Sequence, residues 1–208
     1  MKFVLSFGHM PKRLLLLVLL FVLLPLLGAC HKYNTLVEKN ATCDEKWANI
    51  ETELQRRYDL IPNLVATVKG SAQHEEKTLE EVTAARASAT QIKLTGDDFS
   101  DPAKMAQFQA AQDALKGSLG RLLVTQEAYP DLKANAQFHD LAVELEGTEN
   151  RIARAREEYN GAVKDYNAEL AKISGSVVNK VTGHPFKPRI YFSAGAEAHE
   201  APKVNFGP

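Results

Sequence analysis

From Leu36 the apolar positions recur at steps of three and four: Leu36, Cys43, Trp47, Ile50, Leu54, Ile61, Leu64, Val65 and Val68. Such steps lay one stripe along an α-helix and do not fit the two-residue period of a strand. Cys43 falls on the stripe and reads as a small buried apolar residue. Pro62 removes a backbone donor, so a kink or restart is expected near residues 58–62, with Asp59 able to cap it. The pattern resumes through Leu79, Val82 and Ala85 and fades by Leu94. Residues 95–102 (TGDDFSDP) break it, and Ser100 or Asp101 can cap the next helix with Pro102 in its first turn. That helix carries Met105, Phe108, Leu115, Leu119, Leu122 and Leu123. Its Gly117 and Gly120 each cost about 1 kcal/mol relative to alanine, which points to close helix–helix approach. Tyr129-Pro130 is expected to end it.

The longest pattern runs from Phe138 through Leu141, Leu145, Thr148, Ile152, Ala155, Tyr159, Val163, Tyr166 and Leu170 to Ile173. At 1.5 Å per residue it makes a helix of roughly 50 Å with coiled-coil-like spacing. Tyr159-Asn160 and Tyr166-Asn167 repeat seven apart, so both pairs face the same way. Long helices joined by short breaks predict an all-α fold, an up-and-down antiparallel bundle. The bundle is assigned to residues 30–174. Residues 175–208 form a short irregular C-terminal extension, in which Arg189-Ile190-Tyr191-Phe192 is expected as an extended piece lying on the bundle.

Residues 1–29 differ in kind. Lys2, Lys12 and Arg13 precede an eleven-residue apolar run, Leu14 to Leu24, with no acidic residue. A basic start, a short apolar core and small residues before a break describe a secretory signal, and the run falls short of the ~20 residues that span a bilayer. Leu27-Gly28-Ala29-Cys30 resembles the lipobox of bacterial lipoproteins. The resemblance implies cleavage before Cys30 and acylation of its thiol, with palmitate among the chains. Two or more acyl chains anchor stably where one does not. His31, rather than an aspartate, follows the cysteine, which in a two-membrane envelope favours the outer membrane. The expected location is therefore the cell membrane or outer membrane, lipid-anchored and extracytoplasmic.

Composition changes the picture little. The whole chain has 208 residues, 25 Lys+Arg and 26 Asp+Glu, for a net charge of −1; without residues 1–29 the net is −4 over 179 residues. That balance gives no reason to expect nucleic acid as a partner. Two cysteines exclude a disulfide-rich scaffold and a four-cysteine zinc site.

No catalytic constellation emerges, and no cofactor is expected: the chain has neither a phosphate-cradling glycine loop nor a dinucleotide fingerprint. His74-Glu75 lacks the second histidine of a zinc helix. The densest polar cluster is Gln55-Arg56-Arg57-Tyr58-Asp59, followed by Asn63. One arginine should reach inward, and a buried guanidinium requires a carboxylate, with Glu127, Glu144 and Glu149 as candidates. The cluster reads first as an ion-pair network fixing helix register and second as a ligand or partner site at the kink.

These segments together resemble the LemA family. The matching residues are Tyr33-Asn34-Thr35-Leu36-Val37, Trp47, the block 55–65 (QRRYDLIPNLV), Val68-Lys69-Gly70, His74-Glu75, Arg86, the stretch 127–135 (EAYPDLKAN), 149–153 (ENRIA), Ala155-Arg156, Tyr159-Asn160, Tyr166-Asn167, Tyr191-Phe192 and Val204-Asn205-Phe206. The resemblance implies an extracytoplasmic helical bundle on an N-terminal membrane anchor, without a settled enzymatic activity. Two departures stand out: a lipoprotein-like start in place of an uncleaved helix, and Ile173-Ser174 where the family carries Phe-Pro. The resulting expectation is a non-catalytic, lipid-anchored envelope protein, acting through a protein partner of unknown identity or organising the membrane. The competing one is an envelope hydrolase or metal-dependent enzyme using His74, Glu75 and the Arg57 region.

Overall fold

The computed structural model describes residues 12–71, 76–172, 175, 177, 179 and 186–193, with side-chain detail in the first helix essentially from His31 onward. His74, Glu75, Ile173 and Ser174, the side chain of Cys30, and the tail from residue 194 lie outside the described residues. The elements are α1 (Lys12–Ser71), α2 (Glu76–Gln91), a 3-10 turn (Gly96–Ser100), α3 (Pro102–Val124), a second 3-10 turn (Thr125–Ala128), α4 (Pro130–Lys133) and α5 (Ala136–Ala171). Among the described residues there is no strand. No helix among them is long and apolar enough to cross a membrane.

The stripes define the core. Leu36, Cys43, Trp47, Ile50, Leu54, Ile61, Leu64 and Val68 of α1 are buried against Phe138, Leu145, Ile152, Tyr159, Val163 and Tyr166 of α5. α1 and α5 run antiparallel, and cross-helix ion pairs mark the register: Lys32–Glu169, Lys46–Glu158, Glu53–Arg151 and Arg56–Glu144 climb α1 while descending α5. Exposed pairs of this kind contribute about 0–1 kcal/mol each, so they select the register more than they hold the bundle together. α2 and α3 form a second antiparallel pair, with Glu81 opposite Arg121. Helix starts follow local chemistry. Asp101 caps α3 by accepting from the N–H groups of Ala103 and Lys104, with Pro102 at the first helical position. Asn135 caps α5 through the N–H of Phe138.

Four expectations are corrected. The helix does not break at Pro62: α1 is continuous to Ser71. Proline at position 62 deprives the carbonyl four residues back, that of Tyr58, of its helical partner. That carbonyl accepts instead from Nε of Arg86 on α2, at 2.8 Å. Asp59 consequently caps nothing; it accepts from Nε2 of Gln55 at 2.7 Å. Gly117 and Gly120 are both exposed, and a Cβ at Gly120 would meet nothing within 4 Å, so neither marks a close helix approach. The buried positions of that stretch are Ser118 and Leu119, one residue to the side. α3 ends at Val124 rather than at Tyr129-Pro130, and Pro130 opens α4. α5 stops at Ala171, and the described residues 175, 177 and 179 beyond it are helical.

Two outcomes test this packing. Arg86→Ala should destabilise the fold by about 1–3 kcal/mol by orphaning the Tyr58 carbonyl. The same change in a Pro62→Ala background should cost much less, because the alanine N–H returns the helical bond; urea titration of the four proteins measures the coupling, and additive losses would refute it. Glu169, hydrogen-bonded by Lys172 and then Lys32, has its carboxyl held below the usual carboxylate range. Its stabilisation is therefore complete above the unfolded pKa of about 4.3 and lost as pH falls through the lower folded value. The Tm gap between wild type and Glu169→Gln should hold steady near neutrality and close below about pH 4.

Candidate functional site

The polar cluster around residues 55–63 straddles the surface of α1, and helical geometry sends its members in different directions. Arg57 points inward and is 1% exposed. Its Nη1 donates to Oε1 of Glu149 on α5 at 2.8 Å, and its Nη2 donates to Oε1 of Gln112 on α3. With the amide oxygen so engaged, Nε2 of Gln112 donates to the Tyr58 hydroxyl at 2.8 Å. That hydroxyl reaches the Ala89 carbonyl on α2 at 3.4 Å. One guanidinium thereby links α1 to α5 and, through Gln112 and Tyr58, to α3 and α2. Its Nε has no partner among the described residues.

The remaining candidates lie on the outside. Arg56 pairs with Glu144 at 2.7 Å, both substantially exposed. Asn63 is exposed, and with Arg56, Tyr58, Asp59, Lys93 and Glu144 it lines an open groove of about 1160 Å³. Glu127, a candidate partner for the buried arginine, is corrected: it bonds Lys133 at 3.2 Å. It sits in the 3-10 turn beyond α3, where the neighbouring α4 supplies the nearest cation. Among the described residues no group of three or more His, Cys, Asp or Glu side chains could hold a metal ion.

A second polar centre was not foreseen. At the end of the bundle nearest Cys30, Trp47 meets Phe99, Phe108 and Tyr159 with ring centroids 4.9, 5.3 and 5.4 Å away, and Phe192 of the C-terminal segment stacks on it at 5.6 Å. The guanidinium of Arg156 lies 4.9 Å over the Phe192 ring, and that of Arg189 lies 4.9 Å over Phe99. Burial pushes the hydroxyls of Tyr159 and Tyr166 up to about 12. It also raises the Cys43 thiol. These groups are therefore protonated at neutral pH, and Tyr166 donates to the Lys187 carbonyl at 3.0 Å.

Gln112 could have been flagged by its position alone, since it occupies a core place between Phe108 and Leu115 on the α3 stripe. The heptad-spaced asparagines gave a direction but no target.

Among the described residues, fold and site define a helical bundle of four long helices, α1, α2, α3 and α5, whose buried polar centre ties helix to helix. The LemA family model matches residues 46–206. The chain belongs to the LemA family. It is 28% identical over 181 residues to magnetosome proteins MamQ 1 and MamQ 2 of Paramagnetospirillum magneticum, covering 77% of this chain and 64% of each of them. It is 27% identical over 216 residues to magnetosome protein MamQ of Magnetospirillum gryphiswaldense, covering 94% of this chain and 75% of that one. The chain thus spans less than two thirds of the length of the first two relatives.

Removing Arg57 strands the Gln112 amide in the interior and leaves the partly exposed Glu149 carboxylate without its cation. Arg57→Ala should cost about 3–5 kcal/mol, whereas the apolar pair Arg57→Met with Glu149→Leu should recover most of that loss. Denaturant melts followed by circular dichroism report both, and an alanine variant within 1 kcal/mol of wild type, on the order of a surface pair, would contradict the hub.

Proposed function

We propose that this chain is a non-catalytic, lipid-anchored helical-bundle protein of the cell envelope, held through Cys30 on the extracytoplasmic side of a membrane and acting through protein partners. The observation that carries the non-catalytic reading is the engagement of the Arg57 centre. Both Nη groups are committed to Glu149 and Gln112, and the guanidinium is closed to solvent. A general acid or base works best with a pKa near the operating pH. Here the resolved shifts of the buried hydroxyls and thiol run away from neutrality, Tyr159 and Tyr166 to about 12 and Cys43 upward.

The anchor is supported by the sequence itself: the basic start, the short apolar run and Leu27-Gly28-Ala29-Cys30. The relatives' names, magnetosome proteins, support a membrane-linked role. An enzyme built on His74, Glu75 and Arg57 loses support because both Nη groups of Arg57 are employed between helices.

Labelled palmitate should enter the wild type in its native envelope and be lost in Cys30→Ala; equal labelling of both proteins would refute lipidation at this residue. Unbiased crosslinking in intact envelopes should recover a specific protein partner. Recovery of none across growth conditions would count against the interaction reading.

A further inference from the structure

Residues 186–193 form a strap that is neither helix nor strand. The Ile190 N–H donates to the Phe99 carbonyl at 2.8 Å, and three regularly spaced residues are bracketed by side-chain amides. The side-chain amide of Asn160 accepts from the N–H of Phe192 at 2.9 Å and donates to its carbonyl at 3.0 Å. Asn167 does the same to Arg189, both bonds 2.9 Å. Asn179 does it to Phe186, donating to its carbonyl at 3.0 Å and accepting from its N–H. Each amide brackets one residue, and the bracketed residues fall every third position.

The spacing is a matter of pitch. Asn160 and Asn167 are seven residues apart on α5, about 10.5 Å along the axis. Three residues of extended or polyproline-like chain also advance about 10 Å. The heptad on the helix is therefore in step with the strap, which runs antiparallel to α5. Side-chain selection sits on the same three residues. Phe186 meets Tyr33 at 5.6 Å. Arg189 donates through Nε to Asn40 at 3.0 Å and through Nη2 to Asp44. Phe192 enters the aromatic box around Trp47. Between them Lys187, Pro188 and Tyr191 are exposed, as is Ser193 at the end. On the far side, Gln109 of α3 donates to the Tyr191 carbonyl and accepts from Ser193.

We propose that this groove is a peptide-binding site, filled in cis by the strap, that takes in trans an extended segment of pattern Phe-x-x-Arg-x-x-Phe. Amide brackets read main chain, so they accept any extended polypeptide; the box and the Asn40–Asp44 pair supply the specificity. Asn160, Asn167 and Asn179 are each half-buried, so water can take over their bonds when the strap leaves. A covalently attached competitor acts at an effective concentration on the order of millimolar, which sets what a partner must overcome. The proposal gives the interaction reading above a ligand class and rests on it, but peptide binding by the purified chain is scored independently of palmitate labelling.

The test uses the full chain carrying Arg189→Ala with Phe192→Ala, which releases the strap, and a fluorescent peptide of residues 186–193. Anisotropy should show saturable binding to this variant, at least tenfold weaker binding to wild type, and at least tenfold loss when Asn160→Leu and Asn167→Leu are added. A peptide with its own Arg and final Phe changed to alanine should not bind. Should the released variant lose its helical signal, the wild type is challenged with millimolar peptide bearing benzophenone at the Tyr191 position. Crosslinks on α3 near Gln109 or on α5 near Asn160 support the site. Absence of binding to a helical variant, or crosslinks scattered outside the groove, overturns it.

Discussion

A guanidinium closed off from water is the constraint around which this bundle is organised. Burying the charge of Arg57 is expensive, and the cost is offset only where a carboxylate and a further acceptor stand at fixed positions around it. Those positions lie on α5 and α3, at Glu149 and Gln112. A slip of either helix by one turn would carry the acceptor about 5.4 Å along the axis and leave the charge bare. Apolar stripes alone tolerate such slips, since leucine packs nearly as well one turn along. The arginine removes that degeneracy, a specifying role that buried ionic groups play in some other helical assemblies.

The proline next to it belongs to the same arrangement. Tyr58, adjacent to Arg57, presents its hydroxyl to Gln112 and its carbonyl to Arg86. The carbonyl is available because Pro62 cannot bond it. A residue that would break an isolated helix here supplies an acceptor to a neighbouring helix, and the helix survives because tertiary packing, not propensity, supplies most of its stability. Tyr58, Pro62 and Arg86 thus account for one another's polar groups despite their separation.

The helices and their core faces were legible because burial on a helix leaves a local period. The α1 stripe residues from Leu36 to Val68 are all buried but Val65, which packs against the core from its edge. An inward arginine was legible too, since two consecutive arginines on an amphipathic face cannot both reach solvent equally. Its partner set was narrowed to three glutamates but not resolved: the selection depends on how α5 lies against α1, a relation with no local signature. Pro62 misled for a similar reason. Its effect on the helix was read from the backbone alone, while the compensating donor sits 24 residues away. The strap was legible in part: Arg189-Ile190-Tyr191-Phe192 reads as an extended piece on the bundle and lies there, held by α5. Asn160 and Asn167 visibly share a face, but what they hold is main chain, and main chain is the same everywhere in a sequence.

The two polar centres differ in what solvent can do to them. Around Arg57, Gln112 is 0% exposed, so an amide that loses the guanidinium has no water to replace it. Around the strap the bracket asparagines are half-buried, and each bond broken on one side can be remade with water. The first centre is therefore committed to the fold, and the second is the one on which the proposed peptide exchange rests. Their places along α1 follow the same division. Asn40, Asp44 and Trp47 lie 10 to 17 residues beyond Cys30, about 15–25 Å of helix, whereas Arg57 lies about 40 Å along. A protein tethered at Cys30 would hold the strap face nearer the tether than the fixed centre.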